Sequence, residues 1–257
     1  MIFQIKIADQ IIEIHSIYDK VYTWCEKYVV FPFEKEKKSI QIIVKRDDIE
    51  GEDQKVQYSC WKKNPHRIMV YHPAHLETMV GNRKISEIMP FYSTFLIHGS
   101  LISYNGHGYL FTAPSGTGKT TRANLWIDEY PSAFIVNGDK PLIRVGQSEV
   151  IAYGTPWCGK ENVNINTSVP LRAILFVERV EEGEIDSIYE MQLTEAFPEL
   201  YKQSYHPAND EALRRTIQLI RNIEGKVKFY RFRSSPTVEA IRLAYETIQN
   251  SDIESNS

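Results

Sequence analysis

Between residues 109 and 129 the chain passes from an apolar tetrad through a glycine-rich turn into a helical pattern, and no other stretch limits its fold so tightly. The turn reads Ala113-Pro114-Ser115-Gly116-Thr117-Gly118-Lys119-Thr120. That is phosphate-loop spacing, with Ala in place of the first Gly. Tyr109-Leu110-Phe111-Thr112 reads as a short buried strand, and residues 120–129 read as a helix that Pro131 stops. Each part of such a loop has a physical task. Gly116 and Gly118 let backbone N–H groups converge on one anion. The helix start adds the positive end of its dipole. Lys119 brings a mobile cation to the β- and γ-phosphates, and Thr120 offers a hydroxyl to Mg²⁺. Pro114, Ser115, Thr117 and Thr121 complete the cradle. The flanking strand and helix separate this from an ordinary glycine-rich turn. The loop calls for a nucleoside triphosphate and leaves open what is done with it.

The rest of residues 96–250 follows strand–turn–helix–strand order, which predicts an α/β sheet. Strands are expected at 96–103, 133–136, 142–145, 149–153 and 171–177, and later helices at 209–222 and 236–249. Residues 1–95 read as β-rich, with a hairpin over 1–14 and a strand over 39–45. The charge run 34–38 reads as a solvated turn and the acidic run 47–53 as a loop. The polar residues 250–257 read as a frayed tail.

A phosphate loop needs a carboxylate from a neighbouring strand end. Asp139, just past the strand 133–136, can hold Mg²⁺ or take the proton of an attacking hydroxyl, with Asn137 as a neutral ligand. His98, between apolar residues, is by itself a packed histidine. The breaker-rich stretch 153–160 reads as a shaped loop, in which Lys160 is a candidate phosphate or acceptor clamp. Cys158 has no sequence-adjacent His, so little supports a nucleophile there. Arg172 and Arg179 flank a core strand, and Arg172, at its start, is kept as a clamp candidate. His72 and His75 have ligand-like spacing without a partner cluster.

Composition adds exclusions. Thirty basic residues against thirty-three acidic ones give a formal charge of −3, so no overall basic field calls for nucleic acid. Three scattered cysteines make neither a disulfide framework nor a zinc site, and a reducing cytoplasm is the simplest setting. Polar residues interrupt the first thirty positions, and no apolar window is long enough for a membrane span.

The order of features resembles a known family. Ile97-His98-Gly99-Ser100, then Gly106 to Phe111, then the phosphate loop, then Val136-Asn137-Gly138-Asp139-Lys140-Pro141-Leu142 is similar to the catalytic domain of HPr kinase/phosphorylase. Residues 154–160 and Pro170 to Ile174 are closer to the small bacterial HPr kinase-like proteins, labelled phosphoenolpyruvate carboxykinase-like, some of which accompany lasso and other ribosomally made peptides. The resemblance covers residues 85–250 well and 1–84 loosely. It implies a phosphoenolpyruvate carboxykinase-like P-loop kinase domain over 85–250, with a β-rich region 1–84 packed on it and a disordered tail 251–257. It also implies ATP, Mg²⁺, phosphorylation of a serine hydroxyl in a peptide or small protein, and assembly into a homo-oligomer. By position, Lys119 and Thr120 would meet phosphate and Mg²⁺, and His98 would lie near the transferred phosphate. Asp139 would be the second of the family's paired aspartates, whose first is Gly138 here. That departure keeps two alternatives open, a weakened nucleotide-dependent peptide-binding module and carboxykinase chemistry on oxaloacetate.

Overall fold

The computed structural model describes residues 1–32, 39–66, 68–181 and 183–255. The charge run 34–38 and residues 256–257 lie outside the described residues. The chain forms two compact units, Met1–Ile88 and Met89–Ser257.

In the first unit, β1 (Ile2–Ile7) and β2 (Gln10–His15) form the expected hairpin. Helix α1 (Lys20–Cys25) follows, and β3 (Ile40–Ile43) pairs parallel to β2. Then come α2 (Arg46–Lys63) and α3 (Pro73–Ile88), so the region is α/β rather than mainly β. The acidic run 47–53 is the first half of α2, not a loop. The Asp48 carboxylate accepts the Lys45 N–H at 2.8 Å, and Asp47 and Asp48 sit at the positive end of the helix. Only Ile49 and Glu52 of α2 are buried, so no apolar stripe announced this helix. On α3, the buried Glu77 carboxylate accepts the Ile17 and Tyr18 N–H groups at 2.6 and 2.9 Å. His72 Nδ1 accepts the Ala74 N–H at 3.2 Å. The His75 ring stacks on Tyr71 at 5.1 Å and meets Trp24 edge-on at 5.7 Å. Both histidines are thus held in turn and ring contacts.

The second unit begins with β4 (Thr94–Leu96), β5 (Gly99–Tyr104) and β6 (His107–Thr112), then α4 (Lys119–Glu129) and β7 (Phe134–Asn137). Next come β8 (Leu142–Val145), β9 (Val150–Tyr153), β10 (Ser168–Arg179) and β11 (Ser187–Met191). It closes with α5 (Leu193–Gln203), α6 (Asp210–Arg221), β12 (Lys228–Ser234) and α7 (Val238–Ser255). Helix α7 runs past residue 249 because no Gly or Pro stops it, so residues 250–255 are helix rather than tail.

The nine strands make one sheet in the order β4-β8-β9-β10-β6-β5-β7, with β12 and β11 joined on at β10. Strand β10 pairs antiparallel with β9 through residues 168–170, then parallel with β6 and β12. Both faces are covered. Ala123 and Trp126 of α4 and Ile241 and Ala244 of α7 pack on one, and Ala196 and Leu200 of α5 and Leu219 and Ile220 of α6 on the other. The parallel strands β6, β10 and β12 end on the same side of the sheet, β10 and β12 level at Arg179 and Ser234 and β6 at Thr112 opposite Phe176, on the side where α/β sheets place ligands. No helix among the described residues is long and apolar enough to cross a membrane.

Candidate functional site

The loop from β6 into α4 takes the conformation its glycines permit. Gly116 has φ +86° and Gly118 φ +107°, both in the left-handed region. At Gly118 a Cβ would also lie 2.2 Å from Arg122 Nη1. Gly118 caps α4 without any side-chain capping bond, and the first turn of α4 holds no acid. The N–H groups at a helix start have no helical acceptor, which suits them to an anion.

Two guanidinium groups tie down the loop's carbonyls. Arg179, at the end of β10, donates from Nε to Thr117 O at 3.1 Å and from Nη2 to Gly116 O at 2.5 Å. Arg122, buried on α4, donates from Nη1 to Thr117 O and Gly118 O, both at 3.4 Å. Its Nε reaches Ser234 Oγ at 3.2 Å, and its Nη2 bonds the Ser234 carbonyl. Because a peptide unit is planar, carbonyls held on one side turn the N–H groups of Gly118 and Lys119 to the other. Burial lowers the pKa of Arg122, the charge of Arg179 adds to this, and Asp186 opposes it. The Lys119 ammonium is buried and donates to Ala113 O at 3.0 Å and Pro114 O at 3.3 Å. Burial pulls its pKa below the usual lysine value, and the charge of Asp139 offsets part of that.

Asp139 is placed by Asn137. The fully buried Asn137 amide donates to Thr155 O at 2.9 Å and Thr155 Oγ1 at 3.1 Å. Its Oδ1 accepts the N–H groups of Asp139 and Lys140 at 3.0 and 2.7 Å. Asn137 therefore shapes the turn and is not a metal ligand, contrary to the sequence expectation. Asp139 Oδ1 lies 3.2 Å from His98 Nε2, and His98 Nδ1 lies 3.1 Å from Gln203 Oε1. Main-chain bonds fix the same pair: His98 N–H to Gln203 O at 2.8 Å and Gly99 N–H to Asp139 O at 2.9 Å. Burial, the largest single effect, pushes the Asp139 carboxyl up, but the His98 hydrogen bond and the charges of Lys140, His98 and Lys119 together outweigh it. The net shift is downward, so Asp139 is an ionised carboxylate at neutral pH.

These groups meet in one cleft of about 510 Å³, lined by His98, Lys119, Thr120, Asp139, Lys160 and Arg179 together with the loop. Ser115, Gly116, Gly118 and Thr121 also line it. Pro114 and Thr117 do not; the Thr117 N–H and hydroxyl both donate to the Pro114 carbonyl, at 3.3 and 2.9 Å. Arg172 is elsewhere. It sits at the irregularity of β10 between Leu171 and Ala173 and donates to Gln249 Oε1 at 3.3 Å. Seven strand residues, roughly 23 Å, separate it from Arg179, so Arg179 is the arginine at the loop. Cys158 is buried, and its sulfur accepts from Asn164 Nδ2 at 2.9 Å. Arg122 and Gln203 were missed by sequence reading. Arg122 lies one helical turn past Lys119 and had that spacing as a signal, whereas Gln203 had none.

The donor set suits Mg²⁺. Thr120 and Asp139 offer hard oxygen ligands on one cleft, and Mg²⁺ at such sites takes one or two protein oxygens with substrate phosphates completing its shell. Among the described residues, no three His, Cys, Asp or Glu side chains gather to form a metal cage. At Gly138 a Cβ would lie 2.9 Å from Cys158 O and 3.5 Å from Val163 O, so the main chain fills the place of a second carboxylate.

No protein-family model and no curated protein matches the chain. Among solved structures it is similar to the Hpr(Ser) kinase/phosphatase from Coxiella burnetii, at 11% identity and a TM-score of 0.40. The similarity covers 63% of this chain and 92% of that chain. So slight a likeness carries no weight for chemistry.

Proposed function

We propose that the chain is an ATP-dependent kinase that moves the γ-phosphate to a serine hydroxyl of a peptide or small protein in the cytoplasm. One observation carries this reading: an ionised carboxylate, hydrogen-bonded to an imidazole, shares a cleft with Lys119 and the uncapped start of α4. The loop amides and Lys119 bind and orient the triphosphate. Asp139 takes the proton of the acceptor hydroxyl, whose oxygen forms the new bond to phosphorus while the bond to the ADP oxygen breaks. His98 keeps the carboxylate aimed, and Gln203 keeps His98 aimed. When bound, Mg²⁺ would neutralise charge on the phosphate oxygens; Thr120 would hold it, and Asp139 would join Thr120 only where another group takes the hydroxyl proton, since one carboxylate does not do both at once.

The test is γ-labelled ATP with serine-bearing acceptors, including lasso-type precursor peptides and small phosphocarrier proteins, read by mass spectrometry. Label on serine supports the kinase. Gly138 favours one other reading, a nucleotide-dependent peptide-binding module, because the site has one carboxylate for two tasks. Binding of ATP without transfer to any acceptor would favour that module. Nucleotide consumption dependent on oxaloacetate would favour carboxykinase chemistry.

A further inference from the structure

Helix α2 ends in a surface that the kinase reading does not use. Its last turns show Tyr58 and Trp61 to solvent, 58% and 56% exposed, with their rings stacked at 6.2 Å. Just beyond the helix, Ile68 and Val70 are 80% and 89% exposed. Four large apolar side chains left in water within one short stretch mark an interaction site.

Gln57 holds the segment that carries Ile68 and Val70. Its side-chain amide donates to the Met69 carbonyl and accepts the Met69 N–H, the latter at 3.4 Å. One amide thus takes both main-chain groups of one residue, as a neighbouring strand would. Exposure alternates over residues 68–72, and Pro73 disfavours helical backbone at His72, so the segment is extended. In extended chain the main-chain groups of successive residues point to opposite sides. Those of Ile68 and Val70 therefore point away from Gln57, and no hydrogen bond joins them to another described residue. The result is a short open edge. Beside it lies a pocket of about 270 Å³, with Val56, Cys60, Lys63, Met69 and Tyr71 among its walls. That is smaller than the pockets that enclose whole small molecules, and it suits a single side chain.

Charge narrows the occupant. No Asp or Glu lies between Asp53 and Glu77, in a chain whose net charge is −3. Lys62 sits over the Tyr58 ring at 4.7 Å, Lys63 lines the pocket, and Lys55 lies on the same half of α2. We propose that this surface binds an acidic peptide segment, which adds to the Ile68–Val70 edge as a strand, seats an apolar side chain in the pocket and sets carboxylates against the lysines. An anionic membrane would meet the same lysines and aromatics, but it has no use for an open edge or a side-chain pocket. The proposal uses none of the groups in the phosphate-loop cleft, so it stands apart from the kinase reading.

The test titrates the full chain into fluorescein-labelled peptides (Glu-X)4, X being Val, Ile, Leu, Phe, Tyr or Trp, and follows their anisotropy. At least one is expected to bind saturably. It should bind at least tenfold more tightly than its (Lys-X)4 counterpart, and than the same peptide N-methylated at its amides, which cannot pair with an edge. Ile68→Asp sets a carboxylate on the edge, and Val70→Pro keeps an apolar residue but removes the outward N–H. Each is expected to weaken binding about tenfold, a change of ~1.4 kcal/mol, with Tm moved by less than about 2 °C, since both positions are exposed. No binding of any peptide, equal binding of the Lys or N-methylated forms, or unchanged binding in either variant overturns the proposal. Binding to phosphatidylglycerol vesicles without binding to any peptide overturns it too, and assigns the surface to a membrane.

Discussion

A side chain at position 138 would begin 2.9 Å from a main-chain oxygen that belongs to the neighbouring loop. Gly138→Asp therefore does not restore a carboxylate pair. Forcing it in is expected to cost about 1–3 kcal/mol. At ~2–4 °C per kcal/mol for a chain of this size, a thermal melt should show Tm lower by about 2–12 °C, with no gain in turnover. Lys119→Ala is expected to abolish labelled-phosphate transfer. Asp139→Asn should lower the rate by at least ~100-fold, the scale of a positioned base. A near-normal rate in that variant would place the base elsewhere. The pH dependence has a definite sign. Because the folded protein holds the Asp139 pKa below its ordinary value, ionised Asp139 adds stability at higher pH and loses it as pH falls through the lowered value. The Tm gap between wild type and Asp139→Asn should narrow as pH drops below roughly 4, and a gap that widened there would refute the assignment.

At the scale of elements, the loop is held from behind by α4 and the ends of β10 and β12. Arg122→Met takes the guanidinium from the Ser234 hydroxyl and carbonyl, while Thr117 O keeps Arg179 and Gly118 O keeps the residue-122 N–H. Unpaired buried groups cost about 1–3 kcal/mol. The expected result is a lower Tm together with a raised KM for ATP, and a larger effect than Ser234→Ala, which removes one acceptor. Elements with strong local signals were legible. The strand–loop–helix over 109–129 was read from glycines and Lys119, and β8 from four apolar-patterned residues. Helix α2 was not, because it buries only Ile49 and Glu52, and α5 was hidden by Pro198 within it. Asp139 and His98 were readable as chemistry, but their 3.2 Å contact depends on β5 and β7 pairing across the sheet. The wrong arginine was favoured because strand direction relative to the loop is a property of the sheet, not of residues 171–179.

At the scale of the whole molecule, every group assigned to the cleft comes from residues 98–179, inside the second unit. Residues 89–257 expressed alone are expected to bind tripolyphosphate with Mg²⁺, measured by calorimetry, whereas loss of binding would make residues 1–88 part of the site's support. The packing under α4 has a use for such measurements. Trp126 sits seven residues past Lys119 on the same helix, about 10 Å along its axis, fully enclosed and with no partner for its indole N–H among the described residues. Tyr109, Tyr130 and Tyr245 surround it at ring separations of 4.9, 5.7 and 5.7 Å. The protein thus carries a built-in optical reporter bolted to its anion-binding helix, and arrival of a triphosphate should be visible as a shift in near-ultraviolet ellipticity that Trp126→Phe erases.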